Sequence, residues 1–435
     1  MMLRLRMLWR VAPILAWLAV LGSARSASAD EPVSALLAAP TTYTDVADAF
    51  EPGNPIDVNV RLGFQHDVTS ATIKREVVDS ASQDGRSSQH ERSVADYTRV
   101  QNQLSLRLEA GVYHDLMLFM QVPIVLGDEA ELSGAAGRAA AGTLFDVSKT
   151  LSLAKRSGVP SVDFGVAWGV INQYRMPHLA TWVLILQGSV DTGSRMRPCL
   201  DGQRCEAGVS RGTSRIRLES RWSYRYRYLE PYFGVHYTYE WASSASDQFR
   251  PPGISGVVDG AVPSVAGMVL GTSVIPWEDR ARWQRFEVEL RGSASFTSAG
   301  RDYSPLFDVL GSSKDEALAQ PNMLAGRSDS VRFNGITSVQ AHARLGLDTQ
   351  VVMRAARYMR FALGGGLAYV TSHLITGAPA CDATVKPSAG DERAVGCEDG
   401  IVNPVYRQAI DAPGNRFRVA GQVALQLQLS ATAQF

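Results

Sequence analysis

The sequence predicts an all-β fold, a closed antiparallel transmembrane β-barrel of about twelve strands, with about ten to fourteen compatible with the pattern. Three observations predict it. Apolar and polar residues alternate over stretches far longer than an ordinary strand, above all in the closing QVALQLQLSATAQF. Short turns alternate with long connections rich in Gly, Ser, Asp and Pro. Beyond residue 29 no apolar run approaches the roughly 20 residues of a membrane helix, and mean hydropathy lies near zero. A half-buried strand in a soluble protein averages about 5 or 6 residues. The terminal alternation instead runs from Phe417 to Phe435, which suits a wall between lipid and water. Closure follows because an open sheet edge in lipid would leave amides unsatisfied.

At the N-terminus, Arg4, Arg6 and Arg10 precede the apolar run from Val11 to Gly22, and small residues end in Ala27-Ser28-Ala29. This is the grammar of a cleaved secretory signal peptide, residues 1–29. Residues 30–55 follow as a periplasmic N-terminal extension, and 56–435 form the barrel.

The strands are read in order. Ile56, Val58, Val60, Leu62 and Phe64 alternate with Asp57, Asn59, Arg61 and Gln65. Leu104 to Val112 turns at Tyr113-His114-Asp115 into Leu116 to Leu126. Val162 to Trp168 turns near Arg175-Met176-Pro177 and returns from Thr181 to Val190. Ile216 to Tyr226 turns at Glu230-Pro231 and returns through Phe233 to Tyr239. Val265 to Val274 passes Pro276-Trp277-Glu278-Asp279 into Phe286 to Ala294. Val339 to Leu347 turns near Arg354 to Arg357 into Phe361 to Tyr369, and the terminal strand closes the set. Short turns at one end and long loops at the other are the pattern of outer-membrane barrels, with turns in the periplasm and loops outside. Both termini are then periplasmic. Aromatics sort into two belts: Tyr113, Trp182, Tyr226, Phe233, Trp277, Trp283, Tyr358 and Phe435 near the turns, and Phe64, Tyr97, Trp241, Phe296, Tyr369 and Phe417 near the loops.

The chain carries 43 basic and 43 acidic residues, but residues 1–29 hold four arginines and no acid. The mature protein is therefore mildly acidic, which argues against a nucleic-acid partner. Four cysteines, Cys199, Cys205, Cys381 and Cys397, allow three pairings in an oxidising compartment, and the two local pairs, both in outer loops, are favoured.

The terminal Phe435 with its alternating strand, the signal peptide and the hairpin grammar resemble Gram-negative outer-membrane β-barrel proteins over essentially the whole mature chain. In that family the last strand and its aromatic are the address read by the barrel assembly machinery, a role the resemblance implies for Phe435. Ser161 to Trp168 and Ala180 to Gly193 are similar to barrels of aromatic-degradation pathways, relatives of the long-chain fatty acid channels. Residues 30–55 look too short for the folded hatch of those channels.

Strand phase directs many charges into the lumen: Arg61, Arg107, Glu109, Arg215, Arg217, Glu219, Arg221, Arg225, Arg285, Glu287, Glu289, Arg291, Arg344, Arg360, Arg416 and Arg418. Lipid would penalise a mid-depth Arg by about 2 to 4 kcal/mol, so a watery lumen is their consistent home. Excess arginine predicts a positive pore that draws anionic or carboxylated solutes; pairing of Arg and Glu across a narrow lumen is the competing reading. The tetrapeptide Leu-Phe-Asp-Val occurs at 144–147 and 306–309 in two long loops. This predicts a lid or constriction from Phe145, Asp146, Phe307 and Asp308, with two separate loop cores as the alternative. There is no Cys/His zinc spacing, phosphate-binding glycine loop or acidic calcium loop, so no metal or cofactor is expected. His66, His90 and His373 lie near the outer rim, but no stretch matches the outer-membrane phospholipases or proteases. The expectation is a passive channel or transporter for small molecules, with lipid, the assembly machinery and a small solute as partners. A non-conducting barrel whose disulfide-pinned loops bind a surface ligand is the alternative, and a hydrolase the remote one.

Overall fold

The computed structural model describes residues 41–51, 54–79, 88–134, 144–146, 148–243, 246–249, 257–258, 260–319, 333–382 and 401–435. The signal peptide and Cys397 lie outside the described residues. Twelve antiparallel strands close a barrel: β1 (Val58–Asp79), β2 (Ser88–Tyr113), β3 (Leu116–Gly134), β4 (Ser161–Ile171), β5 (Thr181–Asp191), β6 (Thr213–Ser223), β7 (Leu229–Ala242), β8 (Val265–Asp279), β9 (Gln284–Thr297), β10 (His342–Ala356), β11 (Met359–Val370) and β12 (Phe417–Gln434). Each strand pairs with the next, and β12 pairs with both β11 and β1. At the seam Val58 N–H donates to the Phe435 carbonyl (3.0 Å) and Phe435 N–H to the Val58 carbonyl (2.9 Å).

The dyad divides the wall into two faces. Leu218, Leu270, Leu347 and Leu425 stand outward and exposed, whereas Asp163, Glu219 and Glu289 turn inward and are buried. Such an exterior is stable only against an apolar medium, where each large aliphatic contributes about 1.5–3 kcal/mol. Strands β4, β5 and β6 have 11 residues each, the length a tilted strand needs to cross a bilayer. By contrast β1, β2, β3 and β12 reach 22, 26, 19 and 18 residues and rise beyond the other strands at the long-loop end. The outward face of that extension carries Lys74 paired with Glu91, and Thr72 bonded to Asp96. Facing water, it needs no apolar dyad, so the alternation from Ile56 to Phe64 and from Leu104 to Val112 marks only its membrane part.

Inside the extension, Ile73, Val94, Leu132 and Phe417 turn inward and join Leu144, Leu306 and Leu310 from the long loops. This is the most extensive apolar cluster among the described residues. A short helix, α1 (Phe307–Gly311), delivers the loop side chains.

Three expectations are corrected. The unbroken phase to Phe417 is interrupted by a bulge between Ala420 and Val423, where Gly421 adopts φ 59°. One extra residue exchanges the faces. Phe417 and Val419 therefore point into the loop core, Tyr97 is likewise buried there, and neither Tyr97 nor Phe417 belongs to an outer belt. Arg416 and Arg418 fall on the opposite face and bind Glu76 and Glu91 (2.8 and 2.7 Å), away from the lumen. The first barrel strand begins at Val58; Asn54–Ile56 pairs instead with Ala49–Glu51 in a small hairpin. Strand β6 stops at Ser223, so Arg225 lies in a turn and binds Glu278 (2.9 Å). The Cys199–Cys205 disulfide is formed, and Cys381 is also disulfide-bonded.

Candidate functional site

Residues 41–48 occupy the short-turn half of the lumen, where a periplasmic extension was expected. The Thr41 amide donates to both carboxylate oxygens of Glu230 (3.0 and 3.2 Å), and Thr44 Oγ1 bonds Ser223 Oγ (2.7 Å). Tyr43 stacks on Tyr232 with ring centroids 4.1 Å apart. Arg221 donates to the Tyr43 carbonyl (2.8 Å) and lies 4.9 Å from its ring centroid. Asp45 binds Arg360 (2.8 Å). Val46 and Ala47 cover an inward apolar patch of Met117, Phe119, Ala167 and Val183. The wall makes room through glycine: a Cβ at Gly234 would come within 1.9 Å of Tyr43 Oη. A cavity of about 140 Å³ separates the segment from the wall, bounded by Asn59, Arg61, Arg107 and Gln187.

The predicted lumen charges are brought together mainly along single strands. Alternation puts residues i and i+2 on one face, so Arg107 reaches Glu109 (2.6 Å), Arg217 reaches Glu219 (3.0 Å) and Arg221 the same Glu219 (2.7 Å). Arg285 pairs with Glu287 (2.8 Å) and Arg291 with Glu289 (2.6 Å), whose carboxylate also accepts from Tyr232. Arg61 lies opposite Arg107 and donates to Thr432 Oγ1 (3.3 Å). Five of the twelve predicted arginines are thus paired within their own strand, and Arg360 pairs instead with Asp45 of the inserted segment. Arg215 is 3.7 Å from Asp163. Arg344, exposed in the lumen, has no hydrogen-bond or ion-pair partner among the described residues.

The two repeated loop segments meet at the other end. Leu144 and Leu306 share one cluster, Phe145 approaches Phe417 with centroids 6.1 Å apart, and Ser313 Oγ donates to the Leu144 carbonyl (2.7 Å). Phe307 packs with Phe249, Val262 and Ile336. Asp308 is buried against Arg156 and accepts the Cys199 amide (2.9 Å); burial lifts its carboxyl to about 6 even though Arg156 opposes the shift. Asp146 departs from the expectation: it is exposed and accepts from the Ser148 amide and hydroxyl, organising a turn. Beneath these loops lies a cavity of about 420 Å³ reaching Arg99, Arg344, His342 and His373.

Sequence reading missed Tyr43 and Arg156, took Glu230 for a turn residue and named His373 only as a rim histidine. Glu230 had a detectable signal, since its parity matches inward Tyr232; Tyr43 lies outside the strands, and Arg156 and His373 lie in strands of three and two residues, too short for a periodicity to mark them.

No family model matches the chain, and neither does any curated protein. Among solved structures it is similar to an outer membrane channel from Pseudomonas putida F1, at 12% identity over 91% of this chain and 99% of that one, with TM-score 0.37. A Pseudomonas aeruginosa FadL homologue matches at 8% identity over 86% of this chain and 90% of its own, TM-score 0.31. The outer membrane protease OmpT from Escherichia coli matches at 8% over 87% and 97%, TM-score 0.27. At these scores the likenesses assign no role to any residue of this chain.

Proposed function

We propose that this protein is an outer-membrane channel or transporter for passive passage of small molecules, with residues 41–48 as a displaceable plug and both termini in the periplasm. One observation carries the reading. The lower lumen is filled by a separate chain segment held through hydrogen bonds, an ion pair, a ring stack and a small apolar contact, whereas a structural barrel would fill it with its own wall side chains. A bore that accommodates a peptide, with a cavity of about 140 Å³ still beside it, is wide enough for a small solute once the segment leaves. Arg61 and Arg344, which have no ion-pair partner among the described residues, and Arg215, 3.7 Å from Asp163, bias passage towards anionic or carboxylated solutes. By resemblance, Phe435 serves as the assembly signal. A hydrolase is disfavoured because His66, His342 and His373 bond Asn102 and the Gln340 and Thr371 carbonyls, not a carboxylate.

The test is planar-bilayer conductance of the mature chain and of a variant lacking residues 41–48. Larger unit conductance in the deletion is expected. Two silent, correctly folded barrels would overturn the channel and favour a non-conducting barrel, the reading supported by the loop core at the mouth and the Cys199–Cys205 bridge.

A further inference from the structure

Strand register assembles a row of charge in the lumen that no single strand reveals. Arg285 lies opposite Arg354, Arg354 opposite Arg360, Arg360 opposite Thr432, Thr432 opposite Arg61, and Arg61 opposite Arg107. Six adjacent strands, β9 to β12 followed by β1 and β2, thus present five guanidinium groups and one hydroxyl in one cross-strand row. Neighbouring strands lie about 4.8 Å apart, and like charges directly opposite one another are destabilising. Arg285, Arg354 and Arg360 are buried, so water relieves little of that repulsion. Acids answer part of it. Arg285 binds Glu287 (2.8 Å) and Arg107 binds Glu109 (2.6 Å). Glu230 accepts the Thr41 amide and adds its charge beside Glu287, while Glu278, opposite Arg285, binds Arg225. The last acid comes from outside the wall: Asp45 binds Arg360 (2.8 Å) and is also the carboxylate that acts most strongly on Arg354. Set against Glu109, Glu230, Glu287 and Asp45, the five arginines leave one excess positive charge with the segment in place and two once Asp45 leaves.

From this we infer that the row is a binding site for a free tetrahedral oxyanion of charge −2, and that the Asp45 carboxylate is its tethered occupant in the resting barrel. Two excess charges suit a dianion. Its tetrahedrally arranged oxygens reach guanidinium groups on neighbouring strands together, whereas one planar carboxylate matches a single guanidinium fork. The cavity of about 140 Å³ beside the segment reaches Arg61, Arg107 and Arg360 and leaves room along the row. Binding of the ion and seating of residues 41–48 then compete for the same arginines. The inference rests on the channel reading in that the segment must be displaceable.

Sulfate is the probe, with acetate as the monoanionic control, titrated calorimetrically at constant ionic strength into the mature full-length barrel in detergent. Sulfate is expected to bind at least about tenfold more tightly than acetate, the scale of one charge-assisted hydrogen bond. Asp45→Asn, which removes the competing carboxylate, should tighten sulfate binding by about tenfold, a gain that a misfolded barrel would not give. In that background, Arg354→Gln combined with Arg360→Gln should weaken sulfate by at least about tenfold. Arg282→Gln, in the exposed turn between β8 and β9, should change nothing. Equal affinity for sulfate and acetate, unchanged sulfate affinity in Asp45→Asn, or full affinity after loss of both arginines overturns the site. Binding is read at equilibrium and current separately. A barrel that shows the Asp45→Asn gain yet carries no current would overturn the channel and leave the site standing; a conducting barrel without that gain would do the reverse.

Discussion

His373 lies buried beside His342, with ring centroids 4.0 Å apart and its Nδ1 2.8 Å from the Thr371 carbonyl. Burial depresses its pKa to about 4; the Thr371 carbonyl opposes the shift, and the charges of His342 and Arg418 add to it. An unfolded histidine titrates near 6.5, so the unfolded chain takes up the proton first as pH falls. The loop region is therefore fully stabilised above about pH 6.5 and loses on the order of 1 to 2 kcal/mol by pH 5. Asp308 has the opposite sign: its raised pKa makes the folded state bind a proton between about pH 4 and 6, which adds stability on acidification. In an Asp308→Asn background, the protection factors of the α1 amides, corrected for the intrinsic pH dependence of exchange, should fall by about 10- to 30-fold between pH 7.5 and 5, and His373→Gln should remove most of that fall. An equal fall in both proteins would mean that His373 is not the group responsible.

Two glycines govern what the elements do. Gly234 on β7 leaves the space that the Tyr43 ring occupies. Gly234→Val should expel residues 41–48 and raise unit conductance about as much as deleting them, with the barrel still resistant to denaturant; unchanged conductance would show that the segment tolerates the wall methyls. Gly421 on β12 sits at φ 59°, where a β-branched side chain costs about 1–2 kcal/mol. Gly421→Val should loosen the loop core through Phe417 and Val419, read as faster proteolysis of the long loops at unchanged strand content. If proteolysis does not change, the bulge is not what seats Phe417. Such positions were hard to read in advance. A glycine within an alternating run looks like any small outward or inward residue, and only its left-handed backbone or a ring from a distant segment reveals its use.

For the molecule as a whole, the proposed channel reading predicts that selectivity follows the charges least engaged by acids. Arg221 is engaged by Glu219 and the Tyr43 carbonyl, and Arg225 by Glu278 at the rim. In the conducting form, Arg215→Gln combined with Arg344→Gln should shift the reversal potential in a salt gradient towards cations. Arg225→Gln should shift it much less. An equal shift from both would mean that the whole arginine complement, not its weakly engaged part, sets the field. The barrel itself was legible: strand number, hairpin order and the inward parity of Arg107, Glu219, Arg285 and Glu289 all follow from a period of two maintained by lipid outside and water inside. The pairing of those charges along single strands was not, because alternation gives a residue's face but not where a long flexible guanidinium ends.

By itself the sequence determined a closed wall, since alternating burial and paired backbone groups are local demands that lipid enforces on every strand. It also determined that Phe435 ends a strand whose partner is the first one. Only the tertiary structure decided what fills the barrel: residues 41–48 folded back into the bore, two loops sharing one core above it, and a bulge that turns Arg416 and Arg418 away from the lumen. Those outcomes depend on contacts between segments remote in the chain, such as Tyr43 with Tyr232, Asp45 with Arg360 and Arg156 with Asp308. No periodicity within a segment encodes them.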